Sequence, residues 1–176
     1  LVSEQSDSLA GEAKPPGSKV KVKQMNDAFA KSAGNTMALT VNVHGSSVEL
    51  LSVDESRLVA GHGSGEYLPN GVDRLLDLFS RSQLKATFFV PGREAERNPS
   101  LIREIAAEGH EIAANGYQFE DFSKGADQDH EVLKRSHDIL ASCVGIAPIG
   151  WRAPKGLLSA ATLKSLASFG YVYDSS

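Results

Sequence analysis

The chain has 176 residues, 41% of them hydrophobic and 23% charged, with a formal net charge of −4. That is enough chain for one domain with a core, and it carries no basic surplus to neutralise phosphates, which argues against a nucleic-acid partner. No apolar run approaches the ~20 residues that a membrane-spanning helix requires.

Residues 1–35 are rich in Ser, Glu, Lys and Gly, are broken by Pro15-Pro16-Gly17, and read as a flexible lead-in segment. Within them Lys19-Val20-Lys21-Val22-Lys23 alternates as a short edge strand would. The chain opens on Leu1 with no signal-like apolar stretch, as expected where a leading piece has been removed. A single domain is expected over residues 36–176.

Met37 to Val43 is a short, mostly apolar run ending at Gly45, the pattern of a strand buried on both faces. A long Gly-rich loop is expected up to Asn70, with Pro69-Asn70-Gly71 leading into a helix that carries Val72, Leu75, Leu76 and Phe79. Lys85 to Val90 is the clearest strand, stopped by Pro91-Gly92. Leu101, Ile102, Ile105 and Ala106 mark a helix entered at Asn98-Pro99 and ended at Gly109, and His110 to Ala114 reads as the next strand.

The alternation continues with a helix through Val132, Leu133, Ile139 and Leu140, on which Cys143, the chain's single cysteine, reads as a small near-core residue. Ile149 to Arg152 is a strand, Ser159 caps a helix with Leu163 and Leu166, and Gly170 to Tyr173 starts another strand. Strands alternating with helices imply an α/β fold with a parallel sheet, whose working residues lie in the loops after the strands' C-terminal ends. Those loops are Asn42 to Gly45, Pro91 to Arg93, Asn115 to Asp121, Arg152 to Gly156 and Asp174 to Ser176.

In these segments the chain resembles the polysaccharide deacetylase family. The phrases that carry the likeness are Lys85-Ala86-Thr87-Phe88-Phe89-Val90-Pro91-Gly92, then Gly109-His110-Glu111-Ile112 with Asn115-Gly116-Tyr117, then Gly150-Trp151-Arg152-Ala153-Pro154-Lys155-Gly156, and last Tyr173-Asp174-Ser175-Ser176. The stretch Gly65-Glu66-Tyr67-Leu68-Pro69 leans toward a branch with peptidoglycan deacetylase-like proteins, metal-independent allantoinases and cyclic imide hydrolases. The resemblance implies an irregular (β/α) barrel and hydrolysis of C–N bonds in amides, ureides or imides. Closing a parallel barrel takes about seven or eight strands, and the pattern here yields about five, so an incomplete barrel is expected, completed by a missing C-terminal part or by self-association.

Family members hydrolyse amides with a divalent metal, zinc or a similar ion, and a carboxylate base. The resemblance places the base at Asn42 and the metal ligands at His44, Asn115 and Phe119. An amide has no useful basicity and a phenyl ring ligates nothing, so no metal or other cofactor is expected. The catalytic candidates are Asn42, His44 and Arg152, with Arg152 expected to be free for a ligand because the carboxylate it holds in relatives is absent. Glu66, Asn115, Tyr117, Trp151, Lys155 and Asp174 are candidates for substrate binding, Trp151 and Tyr117 as the lining of a sugar-sized groove.

His110 reads as structural, His62 as a solvated loop residue, and His130 with His137 as a solvated helix face. The expected ligand is a carbohydrate or a small amide or ureide. Three functions compete: a deacetylase-like domain without metal chemistry, a non-catalytic carbohydrate- or partner-binding domain, and a metal-independent ureide or imide hydrolase. A polysaccharide-directed protein would be secreted or belong to the cell envelope, a ureide- or imide-directed one would be cytoplasmic.

Overall fold

The computed structural model describes residues 37–45, 67–125 and 127–176. The lead-in, His62 and Glu66 lie outside the described residues. The elements are β1 (Thr40–Asn42), α1 (Tyr67–Arg81), β2 (Thr87–Val90), α2 (Gly92–Arg97), α3 (Pro99–Ala107), β3 (Glu111–Ala114), α4 (Asp129–Val144), β4 (Gly150–Trp151), α5 (Ala160–Ser168) and β5 (Tyr173–Asp174).

All neighbouring strands pair in parallel and their order in the sheet is their order in the chain. Parallel crossovers are right-handed. When each also steps to the next strand in the same direction, every helix falls on one face, as in a barrel, and the sheet has no switch point. Strands sit about 4.8 Å apart, so a flat sheet would hold β1 and β4 about 14 Å from each other. Yet Arg152, directly after β4, reaches Asn42 at the end of β1 with a 2.9 Å hydrogen bond. The long arginine and a curled sheet together close that gap.

The core lies between sheet and helices. Phe88, Val90, Ile112, Ala114 and Trp151 face it from the strands, and Val72, Leu76, Phe79, Ile102, Ile105, Leu133 and Leu140 meet them from the helices. The buried positions of α1 recur at helical spacing, as one face of an amphipathic helix requires. β2 is a strand buried on both faces. β1 is not, contrary to the expectation from its apolar run: it stands at the sheet's edge, with Thr40 and Asn42 exposed.

Three further details depart from the sequence reading. α1 starts at Tyr67, so Pro69 and Gly71 lie inside the helix; Pro69 falls in the first turn, where its missing N–H has no partner to lose. α2 occupies the stretch after Pro91 that was expected to be loop. His137 is half-buried between Phe169 and Tyr171, and His130 packs on Phe169 and meets Ser165 Oγ at 3.2 Å. The His137 side of α4 therefore packs on the α5–β5 connection and is not solvated, whereas His130 is exposed as expected.

Other local readings match the structure. Ser159 caps α5 by accepting from Thr162 N–H at 3.1 Å. His110 is buried, accepts Ala86 N–H at its Nδ1 (3.2 Å), and packs on Phe79 and Phe88. Cys143 is partly buried, its thiol donating to the Pro99 carbonyl at 3.5 Å. Among the described residues no helix is long and apolar enough to cross a membrane.

Candidate functional site

The register of the sheet selects which side chains meet. Asn42 pairs with Phe89 and Phe89 with Ala113, while Ala114 pairs with Trp151 and Trp151 with Asp174. The ladder runs one residue past each strand end, through Val43 N–H to Phe89 O, Asn115 N–H to Val90 O, Arg152 N–H to Ala114 O and Ser175 N–H to Trp151 O. Because side chains alternate along a strand, Asn42, Phe89, Asn115, Arg152 and Ser175 share the face opposite the helices. Trp151 and Asp174 fall on the other.

Arg152 is the hub of that polar row. Its Nη1 donates to Asn42 Oδ1 (2.9 Å) and Thr40 Oγ1 (3.4 Å), its Nη2 to Ser175 Oγ (2.7 Å), and its Nε to Ser175 O (3.2 Å). The guanidinium lies 4.0 Å from the centre of the Phe89 ring, a favourable cation–π arrangement. The expectation that Arg152 is free to meet a ligand is therefore corrected: Asn42, Thr40 and Ser175 take up its donors.

Asn115 is fully buried. Its Nδ2 donates to the Arg152 carbonyl at 2.9 Å, and its Oδ1 is buried with no partner among the described residues. His44 is half-buried, with Nδ1 also buried and without a partner among the described residues, and its ring meets Phe119 edge-to-face at 5.4 Å between centroids. Burial holds the His44 pKa below its ordinary value, with the charge of Glu94 opposing that shift. Lys155 is exposed at the rim, its Nζ 5.9 Å from the Phe119 ring centre.

Trp151 does not line a groove, which corrects its assignment to substrate binding. It is fully buried, edge-on to Phe122, because its register with Ala114 turns it toward the helices. Tyr117 is also engaged elsewhere: its hydroxyl donates to Glu96 (2.8 Å) and its ring lies 3.9 Å under the Arg135 guanidinium. Asp174 is exposed, and its carboxylate accepts from Ser176 N–H (3.1 Å) and Ser176 Oγ (2.7 Å). Its register with Trp151 turns it away from the Arg152 row, and Ser175 takes the place beside Arg152.

One residue of the site was missed from sequence. Glu94 is 1% exposed and lies against Gly45, where an added Cβ would fall on its carboxylate. In Arg93-Glu94-Ala95-Glu96 it reads as one charge in a solvated run. The available signal was its place four residues past the end of β2.

A curled parallel sheet with helices on one face and a polar row at its strand ends defines a protein of the (β/α)-barrel class. A model of the polysaccharide deacetylase family matches residues 51–173, and the chain belongs to that family. The match takes in the phrases around Phe88, His110 and Trp151 and starts after Asn42 and His44. The chain is 36% identical over 107 residues to the peptidoglycan deacetylase of Helicobacter pylori, covering 60% of this chain and 36% of that protein. It resembles a crystal structure assigned as a polysaccharide deacetylase from Mycobacterium smegmatis, at 40% identity and a TM-score of 0.71 over 78% of this chain and 49% of that one. The structure of Puue allantoinase is similar at 25% identity and a TM-score of 0.58, with 78% of this chain and 52% of that one covered. The chain thus spans between about a third and a half of these relatives' length. The fold is the (β/α) barrel of this family, represented among the described residues by five strands.

Proposed function

We propose that this chain is a polysaccharide deacetylase-type domain that does not carry out metal-dependent deacetylation. Metal-assisted amide hydrolysis needs a cation to polarise the carbonyl and acidify water, and a carboxylate to take the proton. At the base position stands the Asn42 carboxamide, held by Arg152. At the ligand positions stand one imidazole, one carboxamide whose nitrogen is turned to a backbone carbonyl, and a phenyl ring. That set does not fit zinc, which takes three or four nitrogen, sulfur or carboxylate donors.

The observation that carries this reading is the edge-to-face contact of Phe119 with His44, which puts carbon beside the site's one imidazole. The experiment is acetate release from chitin or peptidoglycan oligomers with zinc or cobalt added. No release above the blank is expected, and release that a chelator abolishes would overturn the reading.

A second reading is metal-independent hydrolysis of an imide or ureide with His44 as the base. It draws on an imidazole that burial keeps in its basic, neutral form, and on the likeness to Puue allantoinase. Turnover that survives chelator and is lost in His44→Ala supports it, and no turnover on a panel of imides and ureides sinks it. Binding of carbohydrate in a stacking groove has less support, because Trp151 is in the core.

A further inference from the structure

Glu94 is a charged residue where a charge is costly. Taking a carboxylate out of water costs several kcal/mol unless nearby groups compensate, and packing alone would be better served by an apolar side chain. Its position is set by β2: the chain turns at Pro91, whose carbonyl receives Glu94 N–H at 3.0 Å. The carboxylate then lies against the turn that follows β1, with Asn98 Nδ2 at 3.4 Å from Oε2. Gly45 serves that contact twice: its φ of +52° is a left-handed conformation that side chains resist, and its missing Cβ leaves room for the carboxylate. The residue before it is His44, whose charge state responds to Glu94.

We propose that Glu94 is a positioning residue of this site, its buried carboxylate bracing the Gly45 turn and so fixing the His44 imidazole edge-to-face against Phe119. Its meaning for catalysis rests on the reading of His44 as the base. In that step His44 takes a proton from water as the water oxygen adds to the carbonyl carbon, then returns it to the leaving nitrogen as the C–N bond breaks. A fixed carboxylate nearby stabilises the imidazolium formed in between, as the aspartate does in a catalytic triad.

The test is the ring-proton NMR signal of His44 in the full chain, assigned by its loss in His44→Gln. An imidazole held against Phe119 carries a ring-current shift, and Phe119→Leu marks the position of the signal without it. Glu94→Gln keeps the side chain's shape and removes its charge, while Gly45→Ala pushes the carboxylate off the turn. In both variants the His44 signal is expected to move toward its Phe119→Leu position. A glutamate that served only overall stability would lower the melting temperature and leave the signal of the folded protein in place. An unmoved signal overturns the proposal whether or not any substrate is turned over. If Glu94→Gln does not fold, Gly45→Ala decides alone. A moved signal in a protein that hydrolyses nothing retires the hydrolase reading and keeps the positioning role.

Discussion

Arg152 donates from Nη1 to the carboxamide of Asn42 at 2.9 Å, tying the end of β4 to the end of β1 across the ring of Phe89. The contact joins one edge strand of the sheet to the fourth strand and ends at a neutral acceptor. The guanidinium already makes this bond charge-assisted, and a carboxylate there would add the attraction of an ion pair. Asn42→Asp is therefore expected to raise stability by about 1 kcal/mol in denaturant unfolding, and Arg152→Met to lower it by about 2 kcal/mol. The gain from Asn42→Asp should vanish in the Arg152→Met background; a gain that persists there would show that Arg152 is not its source.

The chain has a single tryptophan, Trp151, and it is fully buried against Phe122. Its fluorescence should be blue-shifted, shielded from iodide, and unchanged by chitin or peptidoglycan oligomers. Ready quenching would put the indole at the surface and restore the groove-lining assignment.

Ser159 accepts Thr162 N–H at the start of α5. Replacing it with Ala leaves that donor without its cap and should cost about 1 kcal/mol. Thermal unfolding of Ser159→Ala measures this directly, and an unchanged midpoint would mean the cap contributes nothing.

Besides His44, two imidazoles make stability depend on pH in a defined direction. His110 is held below the ordinary value of 6.5 by burial and by Lys85, against Glu108; His137 is lowered by burial and by Lys134, against Asp138. As pH falls through 6.5 the unfolded chain takes up protons that the native state still refuses, so stability falls. The contribution of these groups is whole above the unfolded pKa and is lost as pH drops through the folded values. The melting temperature should decline between about pH 7.5 and about pH 5.5, above the range where carboxylates titrate. A flat profile there contradicts the assignment.

Short apolar runs and helical spacing made the alternation of strands and helices legible, because each element's own residues encode its period. Burial of β1 was not legible: an apolar run looks the same at an edge as at the centre, and the order of the sheet decides. Trp151 was misplaced for a related reason. In a two-residue strand the pairing of Ala114 with Trp151 alone determines that tryptophan enters the core and Arg152 the polar row. α2 was hidden by Pro91-Gly92, which reads as a stop, and with it the burial of Glu94. The proposal that Asn42, His44, Asn115 and Phe119 stand at the base and ligand positions rests on the resemblance and on side-chain chemistry, since a carboxamide has no useful basicity and a phenyl ring ligates nothing.

The central claim is that these four residues leave no metal chemistry, and metal content tests it most directly. Protein purified without chelator, dialysed against zinc and then against metal-free buffer, should retain zinc well below one equivalent, and added zinc should not raise its melting temperature. One tightly held zinc per chain, lost together with its stabilising effect when His44 is replaced, would contradict the account.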